Sequence, residues 1–154
     1  MNIAIILGRA NSKGLKNKNV RKIFSKPMFI YPIEAAKKVK LIQKIYVSSD
    51  SGIILNTAKQ LNCEVIKRPK YLCNDKALLE DAINYSVKYC LSKNQKVTNF
   101  VILLCNSVCV NYKEITNGIN FLNKNKTFDT VTTVSKFNMF SPVRAKKLVK
   151  NKLK

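Results

Sequence analysis

The chain of 154 residues contains no histidine. Catalytic triads that need an imidazole base are therefore excluded, and any chemistry must rest on other groups. The five cysteines, Cys63, Cys73, Cys90, Cys105 and Cys109, form no CxxC pair. Zinc is not expected at these spacings, and an odd count points to free thiols, mostly buried as small apolar residues. Acids are scarce, with eight Asp and Glu against 29 Lys and Arg. Asp50, Asp75, Asp81 and Asp129 are the only aspartates, so candidates for holding a metal ion are few. No apolar run approaches the ~20 residues that a membrane span needs. The short apolar start follows no basic segment, unlike a signal peptide. A cytoplasmic protein without a membrane partner is the expectation.

What is present suits one α/β domain with a real core, at 46% hydrophobic content. The formal charge of +21 would attract a polyanion such as nucleic acid. The bases are, however, 25 Lys and only 4 Arg, accompanied by 18 Asn. Lys and Asn share A-rich codons, the lysines are scattered, and Arg is the residue suited to bidentate phosphate and guanine contacts. Compositional bias is therefore favoured over a nucleic-acid partner.

Apolar runs and their punctuation predict strands at 3–7, 44–50, 64–68, 99–105 and 129–135. Helical spacing predicts helices at 26–40, 51–62, 76–93 and 112–125. Pro27 falls near the start of the first helix and Pro32 is an irregularity in its early turns. Such alternation implies a mainly parallel sheet, with ligands held outside the carboxyl ends of its strands. That rim carries residues 8–19, Ser48–Asp50, Arg68 and 105–111. Residues 1–135 form the expected domain. The basic stretch 136–154 is either a disordered end or the start of further structure.

The loop after the first strand reads GRANSKGLKNKN, residues 8–19. Glycine permits close backbone approach, backbone N–H groups form concave anion nests, and Arg9, Ser12, Lys13, Lys16 and Lys18 add donors and charge. It has neither the GxxxxGK[ST] nor the GxGxxG spacing. On composition it is equally a solvated basic loop. Asp50, at a strand end, reads as a turn or helix-capping residue more readily than as a metal ligand.

The stretch IAIILGRANSKGLKNKNVRKI resembles the N-terminal signature of the acylneuraminate (sialic acid) cytidylyltransferases. Arg9, Asn11, Ser12, Lys13, Gly14, Leu15, Lys18 and Asn19 fit that pattern in register, with Gly8 in place of an alanine. KPMFIYPIEAAKK, IYVSSD and VIKRPKYLCND resemble later family segments. The resemblance implies a Rossmann-like, three-layer nucleotide-diphospho-sugar transferase fold. It implies transfer of a cytidylyl group from CTP to a sialic-acid-like nonulosonate, giving a CMP-sugar and pyrophosphate, on the way to cell-surface polysaccharide. It assigns Lys18 and Arg9 to catalysis at the phosphates. Leu7, Gly8, Ser12 and Asn19 would hold the nucleotide, with Arg68 and Ala77 on its cytosine side. Mg2+ is an implied cofactor and a homodimer an implied assembly, because the family's back portion supplies the metal-binding aspartates and a dimerisation arm.

Two departures accompany the match. Cys105 stands where a sugar-contacting glutamine is expected, and Asn111 where an arginine is expected. Lys76, Leu78 and Leu79 replace small hydroxyl residues. A catalytically inactive nucleotide- or anion-binding remnant is therefore the alternative, with a basic nucleic-acid-binding protein behind it.

Overall fold

The computed structural model describes residues 1–10, 14–134, 148–149 and 152–153. Its centre is β1 (Asn2–Leu7), all six residues of which are buried. Such burial on both faces explains an uninterrupted apolar run rather than an alternating one. β1 is flanked by β4 (Ile42–Ser49) and β6 (Asn99–Leu104), and β5 (Glu64–Lys67) lies beyond β4. The sheet order is β5-β4-β1-β6, and every pairing in it is parallel.

The two faces of β1 feed different cores. Ala4 and Ile6 pack with Ile33 of α1 (Ile30–Lys37), Ile54 of α2 (Gly52–Gln60) and Ile115 of α4 (Tyr112–Lys124). Ile3, Ile5 and Leu7 pack with Ala82 and Cys90 of α3 (Leu79–Lys93). The result is three layers, helix on sheet on helix. The chain moves outward from β1 to β4 and β5, then returns to β6 on the other side of β1. That reversal opens a crevice at the carboxyl ends of β1 and β6.

Several expected boundaries shift. Lys26–Pro27 is not helical: it forms β3, paired antiparallel with β2 (Lys22–Ile23). The Met28 N–H donates to Arg21 O and the Phe29 N–H to Asn19 O, so the backbone is committed to this hairpin until Ile30. Pro32 lies in the first turn of α1, where its missing N–H has no intrahelical partner to lose. α3 begins at Leu79 rather than residue 76, because the Asn74 side chain accepts from the Lys76 and Ala77 N–H groups and holds a turn there.

The strand expected at 129–135 is a correction: Asp129–Val134 forms no strand. Its β-propensity finds no ladder, and Val131 packs instead beside Gly118 of α4. Ser135 lies outside the described residues. Of the expected tail, 136–154, only β7 (Leu148–Val149) and β8 (Lys152–Leu153), an antiparallel pair, are described.

Candidate functional site

A cleft of about 310 Å³ opens at the carboxyl ends of β1 and β6. Leu7, Gly8 and Leu104 contribute the strand ends. Arg9, Lys18, Asn19 and Arg68 contribute polar and cationic groups. The segment leading into α3 contributes Leu72, Ala77, Leu78, Leu79 and Ala82. The cleft thus joins a basic set of side chains to an apolar one, as a ligand with an anionic part and a flat or apolar part requires.

Each end of the opening loop is tied down. The Gly8 N–H donates to Ser48 O at 3.1 Å, and the Ala10 N–H to Asp50 Oδ1 at 2.7 Å. Asn19 Nδ2 donates to Arg9 O at 2.9 Å, closing the loop on itself. Asn19 is buried, so it does more than cap a turn. Asp50 neither caps α2 nor lines the cleft: Ser51 is the cap, its hydroxyl accepting from the Ile54 N–H. Lys18 opens a 3-10 turn, Lys18–Val20, and reaches the cleft half-buried. Ser12, with Asn11 and Lys13, lies outside the described residues.

Gly8 is required by its neighbour. A Cβ at this position would sit 2.3 Å from Cys105 Sγ and 2.7 Å from Cys105 Cβ. Cys105 is 1% exposed, and burial pushes its thiol pKa up to about 12. It is a neutral filler under the cleft rather than a nucleophile or a replacement for an amide. Asn111 has likewise become structural, its side chain accepting from the Lys113 N–H at 2.9 Å as the cap of α4.

Arg68 is not an ordinary strand-end charge. It is 6% exposed, and among the described residues no carboxylate forms an ion pair with it. Desolvation lowers its pKa, while the nearby Cys73 and Asp50 oppose that shift. Its Nη2 donates to Ser48 O at 2.8 Å. A buried guanidinium with no carboxylate in direct contact favours an anionic or acceptor-rich ligand. Arg9 is engaged differently, with Nη1 3.1 Å from both Asn74 O and Asp75 Oδ1.

All seven described residues singled out in the sequence, Leu7, Gly8, Arg9, Lys18, Asn19, Arg68 and Ala77, therefore lie on one cleft. Sequence reasoning missed Asp75 as the partner of Arg9, and Ser86, fully buried next to Ser48. Ser86 carried a signal: it is a hydroxyl at the middle of the buried stripe Ala82, Ser86, Cys90 of α3. Among the described residues no group of three or more His, Cys, Asp or Glu side chains could hold a metal ion. Among the described residues Asp75 is the only carboxylate on the cleft, and it is paired with Arg9. These residues do not fit a resident Mg2+ ion, which needs carboxylate oxygens beside the phosphates.

The layered parallel sheet with a crevice at its reversal point defines a Rossmann-like α/β fold. The same fold is seen in the solved structure of CMP:2-keto-3-deoxy-manno-octonic acid synthetase complexed with CTP. The TM-score is 0.68 at 16% identity, over 81% of this chain and 48% of that one. The family profile described as cytidylyltransferase matches residues 3–154, and the chain belongs to that family. It is 38% identical, over 93% of its length, to a pseudaminic acid cytidylyltransferase and UDP-2,4-diacetamido-2,4,6-trideoxy-beta-L-altropyranose hydrolase of Helicobacter pylori. It is 30% identical, over 92% of its length, to an N-acylneuraminate cytidylyltransferase of Escherichia coli. The chain spans 27% and 33% of those two proteins.

Proposed function

We propose that the cleft binds CTP and that the chain carries the nucleotide half of a cytidylyl transfer to a nonulosonate sugar. The anomeric hydroxyl oxygen of the sugar attacks the α-phosphorus. The bond from that phosphorus to the bridging oxygen breaks, pyrophosphate leaves, and the hydroxyl proton passes to solvent. The displacement calls for positioning and charge stabilisation more than for covalent catalysis, in keeping with a chain that lacks histidine.

Within this reading Lys18 faces the α-phosphate and stabilises the charge that develops there. Arg9, Ser12 and Asn19 hold the triphosphate and ribose, with Leu7 and Gly8 allowing close approach. Arg68 and Ala77 take the cytosine side. The supporting observation is the convergence of Arg9, Lys18 and Asn19, from one in-register motif, on the cleft that also holds the buried, carboxylate-free Arg68. Mg2+ belongs to the family chemistry, but the described residues supply no ligand set for it, and no step is routed through it.

The test is pyrophosphate release from CTP with Mg2+ and either N-acetylneuraminate or pseudaminate. Release that requires both nucleotide and sugar is expected. A second reading, a binding remnant, is favoured by one observation: among the described residues Asp75 is the only carboxylate on the cleft. It predicts CTP binding by calorimetry without pyrophosphate release. A folded protein that gives neither heat nor release contradicts both readings.

A further inference from the structure

We infer that Ser48 and Ser86 are positioning residues that lock the guanidinium of Arg68 and thereby set a preference for cytosine over uracil. The inference rests on the nucleotide reading above. Ser48, on β4, is fully buried and is the hub of the local bonding. Its carbonyl accepts from Gly8 N at 3.1 Å and from Arg68 Nη2 at 2.8 Å, and its Oγ lies 3.4 Å from Arg68 Nε. Ser86, also fully buried, places its Oγ 2.9 Å from Ser48 Oγ and 2.8 Å from Ala82 O on α3.

Each hydroxyl has one proton and two lone pairs. With Arg68 Nε donating to Ser48 Oγ, the proton of Ser48 turns to Ser86 Oγ and that of Ser86 to Ala82 O. Every donor in this chain then has an acceptor. Among the described residues no buried side-chain polar atom is left without a partner. The guanidinium is held along its Nε–Nη2 edge, by the hydroxyl and the carbonyl of one residue. Among the described residues it makes no direct ion pair, and it lines the cleft.

That arrangement reads bases by chemistry. A guanidinium offers donors only. Cytosine presents two adjacent acceptors, O2 and N3, whereas uracil presents a donor at N3. A fork fixed in its plane matches the first and opposes the second. A guanidinium free to tilt would settle on a single uracil oxygen, and discrimination would fall. The same carbonyl of Ser48 also sets Gly8, so base reading and loop placement share one anchor.

The experiment is calorimetric titration with CTP and with UTP of wild type, Ser48→Ala, Arg68→Lys and the double variant, each with a thermal melt. Ser48→Ala removes the hydroxyl and leaves the 2.8 Å bond to the carbonyl, and is expected to lower the CTP-to-UTP affinity ratio roughly threefold. In the Arg68→Lys background the same change should leave the ratio where it already stands, because both act through one group. A merely structural serine would lower the melting temperature and leave the ratio alone. A wild-type ratio in Ser48→Ala, or an undiminished further loss in the Arg68→Lys background, overturns the inference. Wild type that binds CTP and UTP equally overturns it too, without touching the nucleotide reading. Wild type that binds neither overturns both. Should Ser48→Ala fail to fold, Ser86→Ala removes only the outer hydroxyl; a smaller loss of preference is expected, and an unchanged ratio counts against the inference.

Discussion

Lys18→Ala is expected to lower turnover by about 10²–10³-fold, the usual cost of removing one preorganised group from a developing charge. CTP affinity should change far less. Lys18 starts a 3-10 turn that is held by its own N–H donating to Leu15 O at 3.1 Å and by the Val20 N–H donating to Asn17 O at 3.1 Å. Removing the side chain leaves that backbone intact. Arg9 and Arg68 remain to attract the triphosphate in the ground state. An interaction made mainly in the transition state lowers kcat and kcat/KM together and leaves KM nearly unchanged. Equal losses of turnover and of CTP binding would mean that Lys18 acts as a general anion anchor and has no special place at the reacting phosphorus.

Gly8→Ala should cost about 1–3 kcal/mol of folding stability, the range found for added volume in a packed interior. The new methyl meets Cys105 Sγ at 2.3 Å and Cys105 Cβ at 2.7 Å, and Asn19 Nδ2 at 3.3 Å. Cys105 has little room to retreat, because its N–H donates to Leu7 O at 2.8 Å and its side chain is buried. Chemical denaturation should show the loss, and Cys105→Ala in the same chain should restore part of it. Recovery is partial because the Cβ of residue 105 remains in the way. Additive effects of the two changes would contradict a direct contact between them.

Two of the departures from the family pattern, Gly8 and Cys105, are in contact in the fold. Glycine at 8 and a thiol at 105 fill one space between neighbouring strand ends. Each looked like an isolated change in the sequence, since nothing local links positions 97 residues apart (105 − 8). The strands themselves were easier to read. β1 stands out as a short β-branched apolar run because it is an interior strand buried along its whole length, and burial leaves few other choices of residue; β6, at the sheet's edge and mostly half-buried, still shows as a continuous apolar run. The cleft was legible from one loop because its residues follow each other in the chain: Gly8 and Arg9, then Lys18 and Asn19.

What escaped was long-range or depended on competition between partners. Pro27 suits a helix start as well as a strand, and the hairpin bond from Met28 to Arg21 decided for the strand. The segment 129–134 has the composition of a strand, but a strand needs an edge to join, and this one packs beside α4 instead. Asp50 had the position of a ligand or a cap; the Ala10 N–H, 40 residues away, claimed its carboxylate. The Ser48–Ser86 contact joins β4 to α3 across 38 residues. Periodicity marks Ser86 as inward-facing, but not the hydroxyl that it meets.

The most direct measurement is a crystal structure of the protein soaked in CTP. Density for the nucleotide is expected in the cleft between the β1 loop and the start of α3, with Lys18 Nζ within hydrogen-bond distance of an α-phosphate oxygen and Arg68 facing the base. A cleft that stays empty at saturating CTP, or a bound nucleotide with Lys18 turned away from its phosphates, would contradict the proposed site.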